Sequence, residues 1–421
     1  MDDPIAHFID VAAAHPRCFW LDGGGAREWS GRRSMIGWLD DDAVSLTYDG
    51  ARGEVTRHTG GAAEVVGPDP FAVLEAELAA GTPDDQWFGY FGSPSRPDLP
   101  AAVASGLPDA VWMRASEIRF FTHPDAAGTA VASSGSAPVA ANPDNVPGWY
   151  AAAFARVQEE LHAGNSYEVN LTYRLEIAAD VDPSAAYLRL RELNPAPYAG
   201  FLQHDVPGAR SWLLSSSPER FALVGADRTV ETKPIKGTTP RGATAAEDEA
   251  LRTRLATDPK FRAENLMIVD LLRNDLSMVC TPGTVTVPAL MEVESYETVH
   301  QLVSTVRGRL RDDVSTVGAL RALFPAGSMT GAPKLRTMAI IDAVEATPRG
   351  VYAGGFGWIA ADGRADLGVV IRSLMTGGDG RYLLGTGGGI TVRSDVVEEY
   401  AESRWKADRL LAALGAPESS R

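Results

Sequence analysis

A lysine works as a nucleophile only when its amine is held, without its proton, against an electrophile, and Lys236 is placed where that is conceivable. It lies in Glu231-Thr-Lys-Pro-Ile-Lys-Gly-Thr-Thr-Pro-Arg-Gly242, where Gly237, Pro240 and Gly242 predict a tight loop after a β-prone segment at 227–232. A lysine there is a surface charge or an amine aimed at a reactive carbon; the loop alone leaves both open. Glu264 belongs to Arg262-Ala-Glu-Asn-Leu-Met-Ile-Val-Asp-Leu-Leu-Arg-Asn-Asp275, in which Glu264, Ile268 and Leu271 share one helical face. A carboxylate on an apolar face needs a partner, so Glu264 is a buried salt bridge or a metal ligand. Glu399, Glu402 and Lys406 stack at i, i+3 and i+7, with Glu398 beside them. They form a solvated face with Glu-to-Lys pairs. If that face meets Glu264, the carboxylates instead suit a hard cation such as Mg2+; no Cys or His partners are present to suit zinc.

Arg372 interrupts the apolar run Leu367-Gly-Val-Val-Ile-Arg-Ser-Leu374, which reads as a strand covered on both faces. Its guanidinium needs an anion, and a ligand carboxylate serves as well as a protein one. Gly387, Gly388 and Gly389 permit close backbone approach to something small. The run Gly327-Ser-Met-Thr-Gly-Ala-Pro-Lys334 has the wrong spacing for a phosphate loop. It sets Ser328, Thr330 and backbone amides before a helix starting near Pro333, which is an ordinary helix start or a carboxylate-binding one. His300, on a strand at 299–306, is either a satisfied core residue or a further catalytic group.

The elements that must position these groups follow from the hydrophobic pattern. Helices are predicted at 70–80, 149–162, 184–193, 247–276 and 396–414, and strands at 44–48, 118–121, 167–175, 299–310, 351–359 and 367–376. Their mixed order predicts an α+β fold rather than a doubly wound sheet. An Ala/Pro/Ser/Gly-rich stretch at 122–148 separates an N-terminal region, 1–123, from a denser region, 145–414. The 421 residues are 45% hydrophobic and 22% charged, with net charge −16, which argues against nucleic acid and anionic membranes as partners. An anionic substrate would therefore need a local cluster of cations or a metal. The start Met1-Asp-Asp-Pro-Ile-Ala-His lacks the pattern of a signal peptide, and no apolar run is long enough to span a membrane. With Cys18 and Cys280 the only cysteines, a reducing, cytoplasmic setting is expected.

Taken in order, these runs resemble the chorismate-utilising enzymes, the large subunits of anthranilate and aminodeoxychorismate synthases together with isochorismate and salicylate synthases. The resemblance covers nearly all of 145–412. Its first markers are Gly164-Asn-Ser-Tyr-Glu-Val-Asn-Leu171, Ser216-Ser-Pro-Glu-Arg-Phe221, the Lys236 segment, the Glu264 helix and Glu297-Thr-Val-His-Gln-Leu-Val-Ser304. Phe324-Pro-Ala-Gly-Ser-Met-Thr-Gly-Ala-Pro-Lys334, the Tyr352 region, Arg372 and Glu399-Tyr-Ala-Glu402 complete it. Earlier, Trp87-Phe-Gly-Tyr-Phe-Gly92 matches more weakly. Pro-Ile-Lys-Gly-Thr is similar to the aminodeoxychorismate synthase component I branch; anthranilate synthases usually carry alanine at the position of Lys236. Isochorismate and salicylate synthases usually place a water-activating lysine where this chain has Glu168, and Glu168 also departs from the glutamine common in the motif. Phe261 and Ala339 stand where many relatives carry polar or acidic residues.

The resemblance implies large antiparallel sheets packed as a sandwich with helices outside. It implies Mg2+ on Glu264 and Glu402, with Glu399 in support, and Tyr352, Arg372, Gly387 and Gly389 around the enolpyruvyl carboxylate of chorismate. Lys406 and Ser328 would assist at the ring. Glu219 would be the general acid, which requires a raised pKa, and Lys236 the nucleophile. Ammonia would then complete 4-amino-4-deoxychorismate for p-aminobenzoate and folate; anthranilate synthase component I is the alternative. Neither cysteine has the glycine-flanked setting of a glutaminase nucleophile, so a separate glutamine amidotransferase subunit is the expected ammonia source. Tryptophan inhibition is not expected from the 22–38 region.

Overall fold

The computed structural model describes residues 3–23, 33–104, 106–123, 142, 145–296 and 299–415. Two antiparallel sheets dominate it. Among the described residues the first has nine strands, in the order Gly331–Ala332, Glu168–Ala178, Arg381–Ile390, Ser373–Thr376, Ser211–Ser217, Tyr198–His204, Arg17–Asp22, Arg33–Trp38, Glu117–Thr122. The second has twelve. It begins Ile235–Pro240, Val299–Arg309, Thr229–Lys233, Arg220–Val224, Ala365–Val369, and passes through Gly355–Ala360 and Gln86–Phe91 to the N-terminal strands Ala110–Arg114, Ser45–Asp49, Glu54–Thr59 and Ala62–Gly67. Strand Thr286–Ser295 pairs with Val299–Arg309 off this path. The N-terminal region thus extends both sheets.

The sheets face one another across an apolar layer. Phe19 of the first stacks on Phe88 of the second with ring centres 3.7 Å apart, and Leu202 and Leu213 join Tyr90 and Leu367 in the same cluster. Strands Ser211–Ser217 and Gln86–Phe91 are buried almost throughout. Helices Pro4–Ala14, Pro183–Leu193 and Val396–Ala413 cover the first sheet, burying Phe8, Tyr187 and Leu410 against Trp20, Phe201 and Leu214. Among the described residues no helix is long and apolar enough to cross a membrane.

Four helices start on the same pair of residues. Asp3-Pro4, Asp69-Pro70, Asp182-Pro183 and Asp258-Pro259 each put an aspartate at the N-cap, accepting from backbone N–H groups, and a proline in the first turn. The last pair corrects the helix expected at 247–276. Proline cannot continue a helix whose preceding residue is pushed to extended backbone, so the segment divides into Ala245–Thr257 and Pro259–Val279. The strand expected at 367–376 also divides. Ala365–Val369 belongs to the second sheet and Ser373–Thr376 to the first; the crossing is made at Arg372, whose φ is +50°. The tight loop expected around Lys236 is instead a strand, Ile235–Pro240, at one end of the second sheet.

Candidate active site

Lys236 owes its direction to a β-bulge. Ile235 pairs with Val303 and Thr238 with Gln301, so one extra residue is accommodated between them, and Gly237 takes φ +93° to do so. The bulge turns the Lys236 side chain into a cavity with about 140 Å3 open to water-sized molecules. The amine forms a buried ion pair and hydrogen bond with Glu168, on a strand of the other sheet. Burial alone would lower the pKa of Lys236, but Glu168, with Glu264 and Glu219 in support, outweighs it and the net direction is upward. The resting amine is therefore a held ammonium.

Glu219 lines the same cavity at 5% exposure. Burial pushes its pKa up to about 7, against the opposing pull of Ser328, Lys236 and the backbone at Ile235. The Ser328 hydroxyl is near enough to influence that carboxyl, yet makes no aligned hydrogen bond among the described residues.

Arg372 reaches the cavity from the crossing between sheets, its carbonyl accepting from Ser216 N–H at 3.1 Å and Oγ at 2.9 Å. Its guanidinium lies 6.0 Å from the Trp405 ring centre and has no ion pair or hydrogen bond among the described residues. Burial and the neighbouring Arg409 push its pKa down to about 10. Tyr352 lies alongside, its own pKa pushed up to about 12 by burial. Strand Arg381–Ile390 forms another wall as Gly385, Thr386, Gly387, Gly388 and Gly389. A Cβ at Gly385 would strike the Tyr352 ring, one at Gly389 the Glu168 carboxylate, and one at Gly388 would come within 3.2 Å of Glu399 Oε2. The glycines keep the cavity open.

Helices Pro259–Val279 and Val396–Ala413 bring Glu264, Glu399 and Glu402 to this cavity together with Lys260 and Lys406. Glu399 accepts from Lys260 Nζ at 3.1 Å and Ser394 Oγ at 2.7 Å, and Glu402 pairs with Lys406 Nζ at 2.8 Å. Glu264 Oε1 is buried with no hydrogen-bond partner among the described residues, and burial raises its pKa to about 7. Burial and repulsion from Glu402 raise Glu399, whereas Lys406 lowers Glu402. An all-oxygen set with one orphaned carboxylate atom fits a hard cation in donor type. Among the described residues, no three acidic, imidazole or thiolate groups already converge as a metal cluster. Lysines occupy the Glu399 and Glu402 carboxylates instead.

His300 is not on the cavity wall. Its ring is buried between Ser295 Oγ at 2.7 Å and Asp248 Oδ1 at 3.0 Å, while the next residue, Gln301, lines the cavity. Successive strand residues point to opposite faces, so the two cannot share one. Sequence reasoning missed Lys260, Asn170 and Gln301, and it missed Glu168 as the partner of Lys236. All the lining residues fall between Asn170 and Lys406.

The fold and site together define a two-sheet α+β protein with a charged, glycine-walled cleft between carboxylates and cations. The family described as chorismate binding enzyme matches residues 33–412, and the chain belongs to it. The chain is 41% identical to an aminodeoxychorismate synthase of Streptomyces pristinaespiralis, over 98% of this chain and 64% of that one. It is 43% identical to aminodeoxychorismate synthase component 1 of Escherichia coli K12, over 63% of this chain and 57% of that one. Among solved structures, anthranilate synthase component I from Streptococcus pneumoniae superposes with TM-score 0.73 at 25% identity, covering 90% of this chain and 92% of that one. The chain thus spans less than two thirds of the length of these two curated relatives.

Proposed function

We propose that this chain aminates chorismate at C4, giving 4-amino-4-deoxychorismate with the enolpyruvyl group retained. The observation that carries the reading is the amine of Lys236 and the proton-holding carboxyl of Glu219 facing one cavity. The names of the two curated relatives support it. Arg372, buried without a protein anion, with Tyr352 and the Gly387–Gly389 backbone, takes the enolpyruvyl carboxylate. Lys406 and Ser328 face the ring. When bound, Mg2+ would be held by Glu264, Glu399 and Glu402 and would draw electron density from the diene through the ring carboxylate.

Glu219, with a pKa of about 7, still holds a proton in a large fraction of molecules at neutral pH and gives it to the departing C4 hydroxyl. Lys236 must shed the proton it shares with Glu168 before it adds at C2. Ammonia then adds at C4 and expels the lysine, so two allylic displacements replace one difficult substitution. His300, held by Ser295 and Asp248, braces the strand behind Gln301.

The ammonia comes from a separate glutamine amidotransferase. Both thiols of this chain are buried, and burial raises the pKa of each, that of Cys280 to about 11, the opposite of an activated nucleophile. Two free cysteines fit a reducing, cytoplasmic compartment, and the product fits p-aminobenzoate and folate synthesis. The decisive test is incubation with chorismate, Mg2+ and ammonium. Aminodeoxychorismate is the expected product; direct release of fluorescent anthranilate would favour the activity named for the S. pneumoniae structure.

A further inference from the structure

A second, much smaller void adjoins Glu219 and Ser328, which among the described residues are the only ones it shares with the large cavity. It offers about 10 Å3, room for one water-sized molecule. Thr232 Oγ1, on a residue 2% exposed, lacks a hydrogen-bond partner among the described residues, and Ser328 Oγ, on a residue 7% exposed, makes no aligned one although it lies near the Glu219 carboxyl. Buried hydroxyls are rarely left in that state without something to satisfy them. Together with Glu219 they put three polar side chains in the lining of the space, as many partners as such a molecule needs. The rest of the lining is largely apolar, with Phe221, Leu272 and Leu323, and the guanidinium of Arg220 is nearby, paired to Glu231. A cation is disfavoured in those surroundings; a neutral dipole of water size is not.

We propose that this void is the subsite where ammonia, as the neutral molecule, waits beside Glu219 before adding to the ring; the inference rests on the amination reading above. The position makes the proton balance close. Lys236 first passes its ammonium proton to Glu168 and takes it back when the amine is released; Glu219 gives its proton to the C4 hydroxyl, the C4–O bond breaks and water leaves as the neutral Lys236 nitrogen bonds to C2. Ammonia then forms the C4–N bond, the double bond shifts back, and the C2–N bond to Lys236 breaks with its electron pair returning to the amine. The new C4 ammonium passes one proton to the Glu219 carboxylate, which restores the acid. The sum is chorismate plus ammonia giving aminodeoxychorismate plus water.

The test is the ammonia dependence of amination at fixed pH, with ammonium chloride as the nitrogen source and chorismate saturating. Thr232→Val keeps the shape and deletes the hydroxyl; the expected result is a KM for ammonia roughly three- to tenfold higher, the effect of one lost hydrogen bond. The KM for chorismate should stay within twofold, and Thr232→Ser should return the ammonia KM close to the starting value. Ala326→Val, which fills the void from another side, should act in the same direction and serves if Thr232→Val folds poorly. An ammonia KM within twofold of the unaltered enzyme in both variants, or a chorismate KM rising in step, overturns the subsite. Failure of the parent reading is told apart without any variant: the unaltered protein then gives anthranilate, or no amine at any ammonium concentration, and the subsite falls with it.

Discussion

Replacing Glu219 by glutamine should make the protein more stable and far less active, both for one reason. The carboxyl is 5% exposed and its pKa lies near 7 instead of the ordinary 4.5, because burial penalises the charged form. Below pH 4.5 the folded and unfolded chains both carry the proton, and the group contributes nothing to pH dependence. Between 4.5 and about 7 the unfolded chain releases it while the folded chain keeps it, so stability falls as pH rises; above about 7 the penalty is constant. At about 1.4 kcal/mol per pH unit, the full penalty is about 3 kcal/mol. Glutamine has the shape of the protonated acid and no charge to desolvate, so Glu219→Gln escapes that penalty. Urea unfolding should show little pH-dependent advantage for the variant near pH 4.5 and an advantage larger by about 3 kcal/mol at pH 8. Amination should fall by roughly 10²- to 10⁴-fold, the usual worth of a general acid, and in the unaltered enzyme the acid-dependent step should weaken as pH rises through about 7. A stability difference that is the same at both pH values would mean an ordinary carboxylate, unable to hold a proton for the leaving hydroxyl.

Lys236→Ala should sharply impair amination while chorismate still binds by calorimetry. It should also destabilise the fold by about 3–5 kcal/mol, because Glu168 is left buried without its cation; unchanged turnover would exclude the nucleophile. Arg372→Gln should raise the KM for chorismate roughly 10- to 150-fold, the worth of lost charge-assisted hydrogen bonds, with little loss of stability because no protein anion depends on it. An equal fall in melting temperature and affinity would make Arg372 structural. Glu264→Gln and Glu402→Gln should each weaken activity and the response to added Mg2+ together, read from Mg2+ titrations of turnover; normal metal response in either variant would make that carboxylate structural only.

Much of the scaffold is legible because it is local. The helix expected at 70–80 is Pro70–Ala80, and the one at 149–162 is Gly148–His162, since apolar spacing and caps lie within a few residues. The split at Asp258-Pro259 was equally local and could have been read, because three other helices start on the same Asp-Pro pair. The tight loop around Lys236 could not be corrected locally. Gly237 and Pro240 look like turn residues, and only pairing with Val299–Arg309, about 60 positions away, makes them a bulged strand. Arg372 misled for a related reason: an apolar run of constant character passes from one sheet to the other, and hydrophobicity does not record which sheet a residue joins.

The electrostatics of the site were the least legible part, and they change the chemistry expected of it. A lone Lys236 in an apolar pocket would have a lowered pKa and a ready lone pair. Glu168, 68 positions away in the chain and on the opposite sheet, reverses that sign. Aiming the amine and freeing it are therefore separate events here. The bulge does the first in the resting protein, while the second needs the Glu168 pair to open or to share its proton as substrate arrives. Gly389 leaves the space in which that pair sits, because any side chain there would strike the Glu168 carboxylate. Lys236, the proposed nucleophile, its partner Glu168 and Gly389 thus form one unit drawn from three strands. Changing Glu168 should accordingly alter the protonation of Lys236 before it alters the grip on substrate.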